Sequence, residues 1–296
     1  MEYRRFQCII WWYMTGNSKK SETFENVYIG TSGYSYADWI GPFYPDGTRK
    51  GDMLAYYARY FRAVEINFTY YRMPSAKTMA AIAAKAAGRV LFAVKLVGEL
   101  THEREGRDPK LVRDYLEALR PMTEVGVLGV ILAQFPWSFK RTDDALAYLR
   151  WLADALGEHA LAVEFRNREW DDPAVLEALR EAGIAYVNVD EPKLKGLMRP
   201  SDYTTSNKVG YFRFHGRNAK KWWKHDKAEE RYDYLYTKDE LTEWMPRIKK
   251  VAGETGKTYV FMNNHPLGKA VENAQQLMEM LGQEFLLDVG DGGGLF

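Results

Sequence analysis

Ala160 to Trp170 reads ALAVEFRNREW, and the alternation of its polar residues decides the fold. Side chains on a strand point to its two faces in turn, so Ala162, Glu164 and Arg166 share one face and Leu161, Val163 and Phe165 the other. An apolar outer face suits a covering layer of helices. An inner face that ends in an acid–base pair suits the mouth of a barrel.

The same unit repeats in both directions. Strands are predicted at Val27–Ser32, Ala63–Asn67, Val90–Leu96, Val127–Phe135, Ile184–Asp190, Val209–His215 and Thr258–Asn263. Helix signals fall between them. A first helix is predicted near Met53–Phe61, and Ser75 caps the run TMAAIAAKA. Asp108 with Pro109, and Asp172 with Pro173, have the N-cap and first-turn pattern. Thr142 opens a helix that ends at Gly157. Thr237 and Glu240 form a capping box, with Pro246 expected to kink or delay the helix that follows. A last helix runs from about Gly268 to Leu281. Pro192, Gly196 and Pro200 interrupt Glu191–Lys208, so the sixth helix is short or replaced by loop.

Eight strands alternating with helices make a parallel α/β protein, and the number favours a TIM-type (β/α)8 barrel. An open doubly wound sheet would carry its site at one switch point, and the first strand is not followed by a G-x-G-x-x-G turn.

Composition narrows the function. In 296 residues, 41 lysines and arginines face 40 aspartates and glutamates, so any attraction for polyanions must be local. Cys8 is the only cysteine, which excludes an internal disulfide and fits a cytoplasmic protein. Residues 1–26, with FQCIIWWYM at Phe6–Met14, are expected to be an arm preceding a single domain over 27–284, and the glycine-rich residues 285–296 a flexible tail. The apolar run is short for a membrane span, and neither a membrane role nor an obligate protein partner is expected.

Applying the alternation to every strand gives the candidate site. Glu65 and Asn67, Lys95, Gln134, Glu164 and Arg166, Asn188 and Asp190, Arg213 and His215, and Asn263 each keep one parity near a strand's carboxyl end. In a barrel these groups are expected to converge on the axis.

Several segments carry a resemblance: IGTSGYSYADW (Ile29–Trp39), VEINFTYYRMP (Val64–Pro74), QFP (Gln134–Pro136), AVEFRNREW (Ala162–Trp170), FRFHGR (Phe212–Arg217) and NNHPLGKAVENA (Asn263–Ala274). Their order and spread from Val27 to about Leu281 resemble the DUF72, or YecE-like, family. The resemblance implies a TIM barrel with a polar mouth. It implies no reaction, and residues 1–26 lie outside the family pattern.

The residues themselves suggest hydrolysis or binding of a phosphate-containing small molecule or nucleic-acid fragment. Glu164 is the expected base and His215 the expected acid, with Glu65 and Asp190 as further carboxylates. Lys95, Arg166 and Arg213 are the expected anion holders. Arg217, Asn67, Gln134, Asn263, Tyr34, Trp170 and Tyr234 are further expected ligand contacts. The loop GRNAKKWWKHDK (Gly216–Lys227) adds Trp222 and Trp223, and cations interleaved with aromatics suit single-stranded nucleic acid. RYDYLY (Arg231–Tyr236) is placed to close over the mouth as a lid.

Two rivals stay open. Glu65 and Glu164 could form a glycosidase pair, or the chain could bind oligonucleotides without catalysis. A third possibility is structural, a salt-bridged network in which Lys95, Arg166 and Arg213 hold the carboxylates ionised. No cofactor is expected. A divalent cation is the one alternative, because His215, Glu65, Glu164 and Asp190 need only converge in space to ligate it.

Overall fold

The computed structural model describes residues 24–104 and 106–284. The arm and tail expectations, apart from Phe24 to Asn26, lie outside these residues. Eight parallel strands close into a barrel in sequence order: β1 (Val27–Ser32), β2 (Ala63–Ile66), β3 (Leu91–Lys95), β4 (Leu128–Gln134), β5 (Leu161–Glu164), β6 (Ala185–Asp190), β7 (Val209–Phe214) and β8 (Lys257–Met262). Most strands are a residue or two shorter than the apolar runs suggest. The ladder ends where the chain turns into the mouth loops.

The connecting helices are α1 (Met53–Tyr57), α2 (Ala76–Lys85), α3 (Pro109–Glu124), α4 (Asp143–Leu156), α5 (Pro173–Glu181), α6 (Lys238–Thr242), α7 (Met245–Glu254) and α8 (Lys269–Met280). Their starts follow local side-chain chemistry. Ser75, Asp108, Thr142 and Asp172 each accept a hydrogen bond from a first-turn backbone N–H, satisfying donors that have no partner within the helix. The Thr237–Glu240 capping box forms, and Pro246 occupies the first turn of α7, dividing the predicted helix in two. No helix forms between β6 and β7. Residues of that loop instead bond to β6: Thr205 Oγ1 accepts from the Tyr186 N–H, and Ser201 Oγ donates to Asn188.

Two close approaches demand glycine. A Cβ at Gly30 would lie 1.9 Å from the Ala63 carbonyl oxygen, and one at Gly129 would lie 2.2 Å from the Tyr259 hydroxyl inside the barrel. Among the described residues, no helix is long and apolar enough to cross a membrane.

Candidate functional site

Register sets which side chains face the axis, because directly paired residues of parallel strands project to the same side. Ser32 pairs with Glu65, Glu65 with Ala93, Gln134 with Glu164, and Val189 with Arg213. Glu65, Lys95, Gln134, Glu164, Arg213 and, one step beyond β7, His215 therefore form the upper inner layer, as their sequence parity predicts.

Arg213 is the centre of this layer. Its Nη1 donates to Glu164 Oε2 at 2.5 Å and its Nη2 to Glu65 Oε1 at 2.6 Å. Tyr211 donates to the other Glu65 oxygen at 2.8 Å. Glu164 Oε1 lies 2.7 Å from Arg166 Nε and 3.1 Å from His215 Nε2. Both carboxylates are fully buried. Burial alone would raise the Glu164 pKa, but Arg166, Arg213 and His215 outweigh it and hold the group well below the usual carboxylate range. Burial, aided by Arg166, pushes His215 down to about 3 despite the pull of Glu164. A neutral imidazole is thus fixed between Glu164 and Asn263, whose Nδ2 lies 3.0 Å from His215 Nδ1.

This geometry disfavours the expected base and acid. Both Glu164 oxygens are occupied by cationic or imidazole donors, and His215 is fully buried with both ring nitrogens engaged. One guanidinium bridges Glu65 and Glu164, so both are engaged by Arg213 rather than set apart for the separate roles of a glycosidase pair.

Asp190 is corrected. Val189, its neighbour, pairs with Arg213 and faces the axis, so Asp190 faces the outer layer. There it accepts hydrogen bonds from Arg217, from the Tyr236 hydroxyl at 2.8 Å and from the Trp244 indole at 2.6 Å. Asn188 shares that outer face and bonds to Tyr203 and Ser201 of the β6–β7 loop. Alternation separates two faces without saying which one is inside. On β6 the polar face is the outer one because polar groups outside the barrel, from Ser201 and Tyr203 to Arg217, Tyr236 and Trp244, bond to it. The divalent set loses Asp190 for the same reason, and no cluster of three or more His, Cys, Asp or Glu suited to a metal occurs among the described residues.

The acidic group on the inner parity of this strand is the next residue, Glu191, which the alternation reading missed. It accepts from the Met198 N–H at 2.8 Å and lies 3.3 Å from Arg166 Nη1. Burial pushes its pKa up to about 7 against the pull of Arg166. Its parity with Val187 and Val189 was the available signal.

Above this layer opens a cavity of about 990 Å³. Tyr34, Glu65, Asn67, Lys95, Gln134, Arg166, Arg213 and Asn263, all expected site residues, line it. The remaining expected contacts lie elsewhere. Trp170 is a core residue stacked on Phe165 and Phe139, with its indole N–H on the Phe139 carbonyl. Trp222 is buried beside Tyr232 and Arg166, so it anchors the loop and leaves no ring face free for a base. Trp223 is exposed outside the cavity. Arg217 is occupied by Asp190, Glu240 and Glu243, and Tyr234 donates to Glu240. The basic character of this loop is therefore partly neutralised within the protein.

Other wall residues carry no repeated polar signal on a strand. Tyr36 stacks on His265 with ring centroids 4.5 Å apart, and Tyr232 reaches the cavity from the expected lid segment. Lys50, Arg72, Lys77 and Lys85 form a cationic rim. Two buried polar atoms of lining residues, Arg213 Nε and Asn67 Oδ1, have no hydrogen-bond partner. Buried polar groups are normally paired, and these two are exceptions.

The class defined by this fold and site is a (β/α)8 barrel with a polar, charge-bridged pocket at its carboxyl-terminal mouth. Residues 28–289 match the family model described as Protein of unknown function DUF72, and the chain belongs to that family. It is similar to UPF0759 protein YunF of Bacillus subtilis (strain 168), 29% identical over 273 residues, covering 88% of this chain and 96% of that protein. Two crystal structures of DUF72 family proteins share the fold. One, from Thermotoga maritima, is 41% identical with a TM-score of 0.81, covering 87% of this chain and 99% of that one. The other, from Enterococcus faecalis, is 26% identical with a TM-score of 0.77, covering 88% and 96%.

Proposed function

We propose that the mouth binds a phosphate-bearing small molecule and is the seat of the protein's activity. The observation that carries this reading is the charge of the cavity wall. Seven cationic side chains, Lys50, Arg72, Lys77, Lys85, Lys95, Arg166 and Arg213, line it against two carboxylates, Glu65 and Glu229, among the described residues. The chain as a whole is nearly neutral, so this bias is local, as an anion site requires. Lys95 supplies a donor at the floor, while Tyr36, Phe68 and Tyr71 offer flat surfaces for a sugar or ring. A nucleotide-sized fragment fits both features. Cys8 as the only cysteine supports a cytoplasmic setting.

Calorimetry with sugar phosphates and nucleoside monophosphates, each beside its unphosphorylated counterpart, tests the reading. Phosphorylated compounds should bind at least about tenfold tighter, and the advantage should shrink in high salt. Lys77→Glu on the exposed rim should weaken them severalfold. Equal affinity for both members of each pair would overturn the proposal. Turnover of chromogenic glycosides would favour the carboxylate-pair alternative. Salt-sensitive binding of single strands that Trp223→Ala abolishes would favour an oligonucleotide-binding module.

A further inference from the structure

Lys95 is unlike the other inner-layer cations. Arg213 is held by Glu65 and Glu164, and Arg166 by Glu164 and Glu191. Lys95 pairs with no carboxylate among the described residues. Its Nζ donates to the neutral Gln134 Oε1 at 2.8 Å and sits 4.4 Å over the Tyr70 ring. It is the last residue of β3, and its backbone carbonyl is tied down by the Thr69 and Tyr115 hydroxyls. The amine thus stands on a rigid strand end, lines the cavity, and has one uncharged hydrogen-bond acceptor.

We infer that Lys95 is a nucleophile that condenses with the carbonyl group of a phosphate-bearing aldehyde or ketone bound in the mouth. The inference deepens the anion-site reading and rests on it for the phosphate. A counter-ion would hold an ammonium group protonated. Here burial, followed by the charge of Arg213, works the other way and brings Lys95 down to about 7 from 10.5, with Glu164 and Glu65 opposing. A substantial share of free amine then exists at neutral pH. The neutral Gln134 amide accepts one N–H and can hold the amine without tying up its lone pair.

In the addition step the nitrogen lone pair bonds to the carbonyl carbon, and the C=O π pair moves to oxygen. In the dehydration step that oxygen leaves as water, carrying two protons whose net source is the amine, and a C=N bond remains. No oxidant or reductant is consumed. The rim and floor cations would hold the phosphate while the carbonyl reaches Nζ.

Pyridoxal 5′-phosphate is a suitable probe because it joins an aldehyde, a phosphate and a flat ring. The intact protein is incubated with one equivalent, imine absorbance is followed, borohydride fixes the product, and peptide mass mapping locates it. Lys95 should be labelled on the order of ten to a hundred times faster than the rim lysines Lys77 and Lys85. The rate should rise with a midpoint near pH 7. Lys95→Arg should remove the label and Lys77→Arg should not, while the wild-type selectivity stands as a measurement that needs no variant to fold. Label spread evenly over surface lysines, with the probe bound reversibly and displaced by inorganic phosphate, would overturn the covalent role and keep the anion site. Equal labelling of Lys95 by pyridoxal and by its phosphate would keep the covalent role and overturn the anion site.

Discussion

Replacing Arg213 with methionine removes the guanidinium that bridges two fully buried carboxylates on opposite sides of the barrel. Glu164 would retain Arg166 and His215, whereas Glu65 would retain only the Tyr211 hydroxyl. Stranding a buried charge by deleting its partner costs about 3–5 kcal/mol. For a barrel of this length, 1 kcal/mol corresponds to about 2 °C in melting temperature, so the variant should melt about 6–10 °C lower at neutral pH. The deficit has a definite pH dependence. A carboxyl without its cation takes up a proton more readily when folded than when unfolded, so the variant regains relative stability as pH falls towards 5. The assay is calorimetric or fluorescence-monitored melting of wild type and variant across pH 5–8, with Glu65→Gln/Arg213→Met as the compensated double variant. A loss below about 2 °C that does not change with pH would refute the argument that the bridge neutralises an otherwise costly pair.

Other expectations follow from the same contacts. Acid should destabilise the wild type chiefly below about pH 4.5. His215, lowered from 6.5 to about 3, gains its proton first in the unfolded chain and costs stability as pH drops below about 6.5, while Glu191, raised from 4.5 to about 7, gains its proton first in the folded chain and offsets that loss until pH falls to about 4.5. The depressed Glu164 adds stability above its ordinary value of 4.5 that is lost on further acidification. His215→Gln should lower the slope of a stability-against-pH curve between about pH 3 and 6.5 by up to about 1.4 kcal/mol per pH unit. Asp190→Asn should cost about 2 kcal/mol or more in denaturant melts, since one carboxylate serves Arg217, Tyr236 and Trp244. Gly30→Ala should fail to fold stably because its Cβ meets backbone. Gly253→Ala, in α7 with open space around it, should raise stability by about 0.5–1 kcal/mol.

What the sequence made legible and what it hid have separable physical causes. Caps at Ser75, Asp108, Thr142, Asp172 and Thr237 act within one turn of their own position, so reading them needs no tertiary knowledge. Parity placed Glu65, Lys95, Gln134, Glu164 and Arg213 together because helices cover the outside of most strands and only the inner face can be polar there. On β6 that premise fails, since Asp190 meets Arg217 and Trp244 on the outside, and Glu191 holds the inner position. Nor could parity predict saturation. That Glu164 receives three donors while Lys95 receives no carboxylate depends on reach across the barrel. The tryptophan pair shows the same limit, because adjacent residues in a loop differ completely in burial: Trp222 is 3% exposed and Trp223 is 58%.

The bridge at Arg213 also constrains the order of assembly. Its two acceptors lie on β2 and β5, and Glu65 precedes it in the chain by 148 residues. β7 is synthesised after both acceptor strands, so the ion pairs cannot form in a nascent chain that ends before it. Until β7 docks, Glu164 has Arg166 of its own strand end as a counter-ion, whereas Glu65 lacks the cation that neutralises it in the closed barrel. Burial of Glu65 and closure of the ring are thereby linked, and a barrel opened between β2 and β7 cannot hold the bridge from Arg213 to Glu65.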